Sequence, residues 1–233
     1  MTGGRWTAVP VSSLSGFHFD TRKLRAGEIF VALTSEQRDG HDFLADALAA
    51  GASAALVSRP IEGVALPQLV VADTLKAFQA VARAHRQAFR GKVVGISGSA
   101  GKTSTKDLLA LLLGAATSGV VATEGNLNNF IGVPLTLTKI DTAKHAFAVI
   151  EAGISEPGEM EVLASMIEPD VSIMTLIAPA HTEALGGIEG VAREKSRLSA
   201  ATRATGVAIF SKPTAEFNAF RELGVRKMVV ERA

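Results

Sequence analysis

Apolar positions along this chain fall into two regimes. Up to about residue 90, short apolar runs alternate with polar turns. Residues 17–19 and 28–33 read as strands, joined by the polar turn 20–27. Residues 41–50 carry Phe43, Leu44, Ala47 and Leu48 at helical spacing, and Gly51 supplies a stop. Residues 54–57 and 68–71 read as strands. Asp73 can cap a helix to about residue 89, with Leu75, Phe78, Ala82 and Phe89 on its apolar face. His85 shares that face and reads as a packed structural histidine. From residue 91 onward strands and helices alternate. Strands are expected at 93–97, 120–123, 146–151, 171–177, 207–210 and 228–230, with helices near 102–114, 131–138, 158–167, 188–201 and 214–223.

Such alternation argues for α/β architecture with a parallel sheet covered on both faces. The expected fold is a small mixed α/β N-terminal domain, residues 1–90, then a P-loop-type, mostly parallel sheet with helices on both faces, residues 91–233. At 233 residues and 47% hydrophobic, the chain can bury a substantial core. Its net charge of +1, from 24 basic and 23 acidic residues, gives no electrostatic footprint for nucleic acid or an anionic membrane. There is no cysteine, which excludes disulfides and thiolate metal sites. The first residues lack the apolar core of a signal peptide, and no apolar run approaches the ~20 residues of a membrane span. A cytoplasmic protein, without membrane insertion and monomeric, is expected.

The chemistry concentrates in 92–106, Lys-Val-Val-Gly-Ile-Ser-Gly-Ser-Ala-Gly-Lys-Thr-Ser-Thr-Lys. An apolar strand, a small-residue turn, Lys102-Thr103-Ser104 and a helix follow one another. That order is the phosphate-cradling arrangement. Unpaired amides and the dipole at a helix start favour an anion, glycines let backbone approach phosphate oxygens, Lys102 adds a point charge, and the Thr103 hydroxyl can hold Mg²⁺. The general pattern places glycine five residues before Gly101, where this chain has Ile96; its glycines are Gly95 and Gly98. An ordinary Gly-rich turn with an exposed lysine is the plainer alternative.

In parallel sheets ligands bind beyond the carboxyl ends of the strands. Three further segments fall there. Residues 123–134, Thr-Glu-Gly-Asn-Leu-Asn-Asn-Phe-Ile-Gly-Val-Pro, form either a dense hydrogen-bonding surface or a turn with an Asn cap. Glu151 ends an apolar strand and is placed to bind Mg²⁺ or, alternatively, to cap or ion-pair. His181, in Ala178-Pro179-Ala180-His181, can be a second metal or phosphate contact. Glu156 and Glu159 look like helix-start acids. By spacing alone Lys195 is one more exposed helical lysine.

Taken in order, Phe-Asp-Thr-Arg (19–22), Asp-Gly-His-Asp-Phe (39–43), Gly-Ser-Ala-Gly-Lys-Thr-Ser (98–104), the asparagine loop (123–134), Glu-Ala-Gly (151–153), Ala-Pro-Ala-His (178–181) and Glu-Gly-Val-Ala-Arg-Glu-Lys (189–195) resemble the Mur ligases of peptidoglycan synthesis. The resemblance runs from about residue 17 to about 210, and the asparagine loop is its most specific part. It implies ATP-driven amide formation through an acyl phosphate, joining D-alanyl-D-alanine to UDP-N-acetylmuramoyl-tripeptide. It also implies that the glycine missing at Ile96 is dispensable.

Position by position, it implies that Ser97, Gly98, Ser99, Ala100, Gly101, Lys102, Thr103 and Ser104 hold ATP. Thr103, Glu151 and His181 would organise Mg²⁺, joined by Lys195 if it is carbamylated. Lys102, Glu151, His181 and Lys195 would form the catalytic set. Thr123, Asn126 and Asn128 would face the muramoyl-peptide, and Asp20, Thr21 and Arg22 with Asp39, Gly40 and His41 would hold the UDP end. Thr34-Ser35 departs from a glycine usual in the family. The family's remaining central-domain elements and its C-terminal domain have no counterpart in these 233 residues, so the chain alone is not expected to be a competent ligase. A non-catalytic sugar-nucleotide-binding module, or a ligase of the folyl-polyglutamate or cyanophycin type, are the competing expectations.

Overall fold

The structure, a computed structural model, describes residues 3–10, 14–117, 119–179 and 182–231. The chain divides into two compact units, 1–82 and 83–233. The division falls inside a helix, some eight residues before the boundary expected where a new strand–helix unit begins.

The first unit holds β1 (Arg5–Trp6), β2 (Phe17–His18), β3 (Ile29–Val31), α1 (Leu44–Ala49), β4 (Ala54–Val57), β5 (Gln68–Val70) and the start of α2 (Thr74–Ala88). Its sheet has the order β1-β5-β4-β3-β2, parallel except where β1 runs against β5. The short strand at Trp6 has no alternating pattern and is invisible in the sequence. Phe30, Leu44, Ala47, Ala55 and Val57 form its buried core. A 3₁₀ turn at Gly40–Phe43 precedes α1, so the expected helix starts later than its apolar spacing suggests. Asp73 accepts from the Lys76 amide at 2.9 Å, the expected cap.

The second unit runs β6 (Lys92–Ser97), α3 (Lys102–Ala116), β7 (Val120–Ala122), α4 (Gly132–Thr138), β8 (Phe147–Glu151), α5 (Glu159–Ile167), β9 (Val171–Met174), α6 (Thr182–Leu185), α7 (Gly187–Ala200), β10 (Val207–Ser211), α8 (Lys212–Ala215), α9 (Asn218–Arg221) and β11 (Lys227–Val230). Six parallel strands lie in the order β11-β10-β9-β6-β8-β7. The β6-to-β7 connection crosses toward one edge, whereas the β8-to-β9 and β9-to-β10 connections cross toward the other. Right-handed crossovers therefore put α3 on one face and α5 and α7 on the opposite one. Leu109 and Leu113 of α3 pack on Val94, Ile96 and Val149. On the other face a Cβ at Gly95 would lie 3.3 Å from Ile167, Pro169 and Leu198. Leu108, Leu111 and Leu112 of the same apolar run face water, so only part of that run is core.

Register brings the carboxyl ends of the central strands level: Ile96 pairs with Glu151 on one side and Ile173 on the other. The opposite end of this sheet is held by a buried charge pair. Arg86, fully buried, donates to the carbonyls of Ile167 (2.8 Å) and Glu168 (2.7 Å) and to the Asp170 carboxylate (2.9 Å). Asp170 also accepts from the Val93 amide at 3.0 Å. Arg86 thus terminates α5 and fixes where β6 and β9 begin. His85 is half-buried, and its Nε2 lies 2.6 Å from the Ile140 carbonyl oxygen, a structural contact as expected. Replacing Asp170 with Ala strands a buried guanidinium, and the expected loss is about 3–5 kcal/mol in urea unfolding. A loss below about 1 kcal/mol would show that the pair does not hold this end of the sheet.

Candidate functional site

The phosphate-loop segment begins where β6 ends. Ser97 Oγ donates to the Ala152 carbonyl at 2.8 Å, tying β6 to the chain leaving β8. Gly98 has φ +147°, and a Cβ there would come within 2.0 Å of Thr175 Oγ1. Thr175 explains that crowding: its hydroxyl lies 2.5 Å from the Ala100 carbonyl oxygen and 3.2 Å from that of Ser97. The Ser99 amide donates to Leu176 O at 2.7 Å, and Ser99 Oγ donates to Ala178 O at 2.8 Å. The loop is therefore stapled from outside by the segment that follows β9. Gly101, at φ +80°, turns the chain into α3, whose first amides have no carbonyl one turn earlier to bond. Lys102 reaches back and donates to Gly98 O at 2.9 Å. Thr103 and Ser104 are exposed on the first turn.

Glu151 is 1% exposed. Its Oε1 accepts from Asn128 Nδ2 at 2.8 Å, while among the described residues nothing donates to Oε2. A half-satisfied buried carboxylate is costly. The Glu151 amide donates to Thr123 Oγ1 at 2.9 Å. Asn128 is itself fixed, its carbonyl accepting from the Gly153 amide and its amide donating to Asn126 O, both at 2.8 Å. Asn129 Oδ1 accepts from the Ile131 and Gly132 amides and caps α4. Both sequence alternatives for this loop thus hold, on different asparagines. Thr123, expected to face the peptide, is 2% exposed, and its hydroxyl accepts from the Glu151 amide beneath the loop.

A cleft of about 410 Å³ opens above these residues, lined by Ser99, Lys102, Asn126, Asn128, Asn129, Phe130, Gly153, Ile154, Ser155, Glu159 and Lys195. Lys195 is 2% exposed, not the surface lysine its spacing suggests. Burial, reinforced by the nearby Lys102 charge, brings its amine down from 10.5 to about 8. Its neighbour Glu194 accepts from the Gly158 and Met160 amides at 2.9 and 3.2 Å, capping α5 from α7. Glu159 is a helix-start acid as expected, accepting from the Ser155 and Glu156 amides at 2.6 and 3.0 Å. His181 lies outside the described residues. Among the described residues no three His, Asp or Glu side chains cluster as a metal site.

In the first unit, Asp20 grips Arg22 through two side-chain bonds of 2.9 and 2.7 Å. That hydrogen-bonded guanidinium holds the Asp20 carboxyl down at about 2. Arg22 is exposed, and Thr21 lies between them half-buried. His41 is buried, with Nδ1 2.5 Å from Asp39 Oδ1 and Nε2 accepting from the Ser58 amide at 2.9 Å. Asp39 also binds Arg59 at 2.7 Å. A Cβ at Gly40 would meet the Leu33 backbone at 2.6 Å. The Asp39-Gly40-His41 turn is thus a locally locked unit whose histidine has both ring nitrogens engaged. Sequence reasoning missed Thr175, which stands in none of the quoted segments, and gave no role to Glu194 or Lys106, although both lie inside quoted ones.

A family model described as the Mur ligase middle domain matches residues 96–229, more than half of the chain. This chain belongs to the Mur ligase family. It is 43% identical over 192 residues to the UDP-N-acetylmuramoyl-tripeptide--D-alanyl-D-alanine ligase of Escherichia coli, a match that covers 82% of this chain and 42% of that one. The crystal structure of MurF from Acinetobacter baumannii superposes with a TM-score of 0.87 at 33% identity, over 99% of this chain and 51% of that one. MurF from Thermotoga maritima in complex with ADP superposes at 0.79 and 28% identity, over 93% and 50%. The chain spans about half the length of these Mur ligases or somewhat less. No described helix is long and apolar enough to cross a membrane.

The buried amine gives a pH signature. Below about pH 8 Lys195 is charged in both folded and unfolded chains, and the burial penalty is felt in full. Between about 8 and 10.5 the folded amine is neutral while the unfolded one still binds a proton, so stability rises with pH. The unfolding free energy of the unmodified protein is expected to climb, relative to Lys195→Met, across that window. A pH-independent difference between the two would show that the amine is not perturbed.

Proposed function

We propose that this chain supplies the UDP-muramoyl-binding unit (residues 1–90) and the ATP-binding unit (residues 91–233) of a cytoplasmic, monomeric ligase that joins D-alanyl-D-alanine to UDP-N-acetylmuramoyl-tripeptide. The observation that carries the reading is the single cleft that gathers Lys102 of the phosphate loop, the asparagines 126 and 128, and the buried amine of Lys195. The similarity to ligases of that name supports it.

The residues suit an anionic nucleotide and a divalent cation. Gly98 and Gly101 take positive φ, which lets the loop turn tightly into α3, and the amides opening α3 favour phosphate. Glu151 Oε2, buried and without a donor among the described residues, would with the Thr103 hydroxyl, His181 and, if carbamylated, Lys195 hold Mg²⁺. When bound, Mg²⁺ would neutralise charge on the phosphates and polarise the transferring group. Lys102 would leave the Gly98 carbonyl for the outer phosphates. Asn126 and Asn128 would orient the peptide carboxylate that takes the phosphoryl group. The amine of D-alanyl-D-alanine then attacks the resulting acyl phosphate, and phosphate leaves. In the first unit, Arg22, exposed and held rigid by Asp20, would present its remaining guanidinium face to the UDP end with Thr21, and the Asp39-Gly40-His41 lock would shape the loop beside it.

Titration calorimetry with ADP tests the cradle. Removing Lys102 costs charge-assisted hydrogen bonds of about 1.5–3 kcal/mol, so Lys102→Ala should weaken ADP about 10-fold or more while leaving the melting temperature near that of the unmodified chain. Equal ADP affinity in the two proteins would remove the phosphate-loop reading.

A further inference from the structure

Lys106 carries a charge that the ligase reading does not use. It lies on α3 one turn beyond Lys102 and is 3% exposed. A buried ammonium is expensive unless its donors are met. Here Nζ donates to the Thr123 carbonyl at 2.8 Å and pairs with Asp107, itself 66% exposed, at 2.8 Å. Asp107 is an intrahelical neighbour and explains nothing about why the lysine points inward. The Thr123 carbonyl does.

Thr123 stands where β7 gives way to the asparagine loop, and it works on both sides. Its carbonyl receives Lys106, and its hydroxyl receives the Glu151 amide. Glu151 in turn receives Asn128, and Asn128 receives the Gly153 amide. An unbroken run of hydrogen bonds therefore leads from the phosphate-loop helix, through Lys106, to the two cleft-lining residues Asn128 and Gly153. An apolar side chain at 106 would fill the same space yet leave a buried carbonyl short of a donor, and the loop would lose its anchor to α3.

We infer that Lys106 is a positioning residue that sets the asparagine loop, and with it the acceptor-peptide side of the cleft, in register with the phosphate-loop helix. The assignment of that side to a peptide rests on the proposed ligase function; the anchoring itself does not.

Two measurements on the full chain separate the claims. Hydrogen exchange needs no ligand. In Lys106→Met the Glu151 and Gly153 amides should exchange at least about ten-fold faster, with the strand amides of Ile96 and Ser172 unchanged. Calorimetry then compares UDP-N-acetylmuramoyl-tripeptide with ADP, and the variant should lose about ten-fold for the peptide and less than two-fold for the nucleotide. Lys106→Gln keeps an N–H donor without the charge; it should restore part of both effects, and it carries the test if the methionine variant does not fold. Unchanged exchange at Glu151 and Gly153 would overturn the anchoring. Equal losses for the two ligands would reduce Lys106 to general scaffold. Failure of the unmodified chain to bind either ligand would sink the ligase reading, while exchange alone would still decide the role of Lys106.

Discussion

A carboxylate buried at the end of a parallel strand constrains everything around it. Glu151 has lost nearly all contact with water, and among the described residues one of its oxygens is met by Asn128 alone. That single donor must be held in place, and the loop is shaped to do so. The Asn128 carbonyl is pinned by the chain leaving β8, its amide by Asn126, and the loop's origin by Thr123. Asn129 meanwhile starts α4 and fixes the loop's far end. The asparagine richness of this segment is thus three jobs on three residues: support, cap and cleft lining.

The cleft itself contains the opposite imbalance. Lys102 and Lys195 both line it, and each charge works against the other. In the protein alone the conflict is eased in two ways. Lys102 donates an N–H to the Gly98 carbonyl, and Lys195 holds its proton more weakly than a lysine in water. An anion entering the cleft removes the repulsion directly. Two cations facing a cavity, with amides of a helix start at its edge, therefore favour polyanionic ligands without any help from the nearly neutral protein as a whole.

Much of this was legible in the sequence, because local rules governed it. Strand–turn–helix around residues 92–106, the Asp73 cap and the alternation of the second unit follow from periodicity and capping chemistry. Parallel pairing followed too, since alternating strands and helices allow little else. What was not legible depends on contacts between distant segments. Lys195 and Lys106 look like ordinary helical lysines, and only packing of their helices on the sheet shows that their amines are inside. Thr175 sits in no motif, yet it staples a loop seventy-odd residues earlier. The apolar run of α3 misled in the other direction: Leu109 and Leu113 reach the sheet, while Leu108, Leu111 and Leu112 do not.

The one irregularity of the phosphate loop has a geometric answer. The general pattern places a glycine at 96, but Ile96 is still strand, fully buried and paired with both Glu151 and Ile173. A glycine there would remove core packing between the sheet and α3 and relax nothing, because the turn has not begun. Tight approach is needed two residues later. At Gly98 the backbone adopts a conformation closed to other residues, and it does so with Thr175 pressed against the place a side chain would occupy. Thr175 in turn bridges the carbonyls before and after the turn. The loop's shape is therefore imposed by a hydroxyl from β9's end and not by a second glycine upstream, which is why Gly95 can serve a different purpose, letting α5 and α7 close on the opposite face of the same strand.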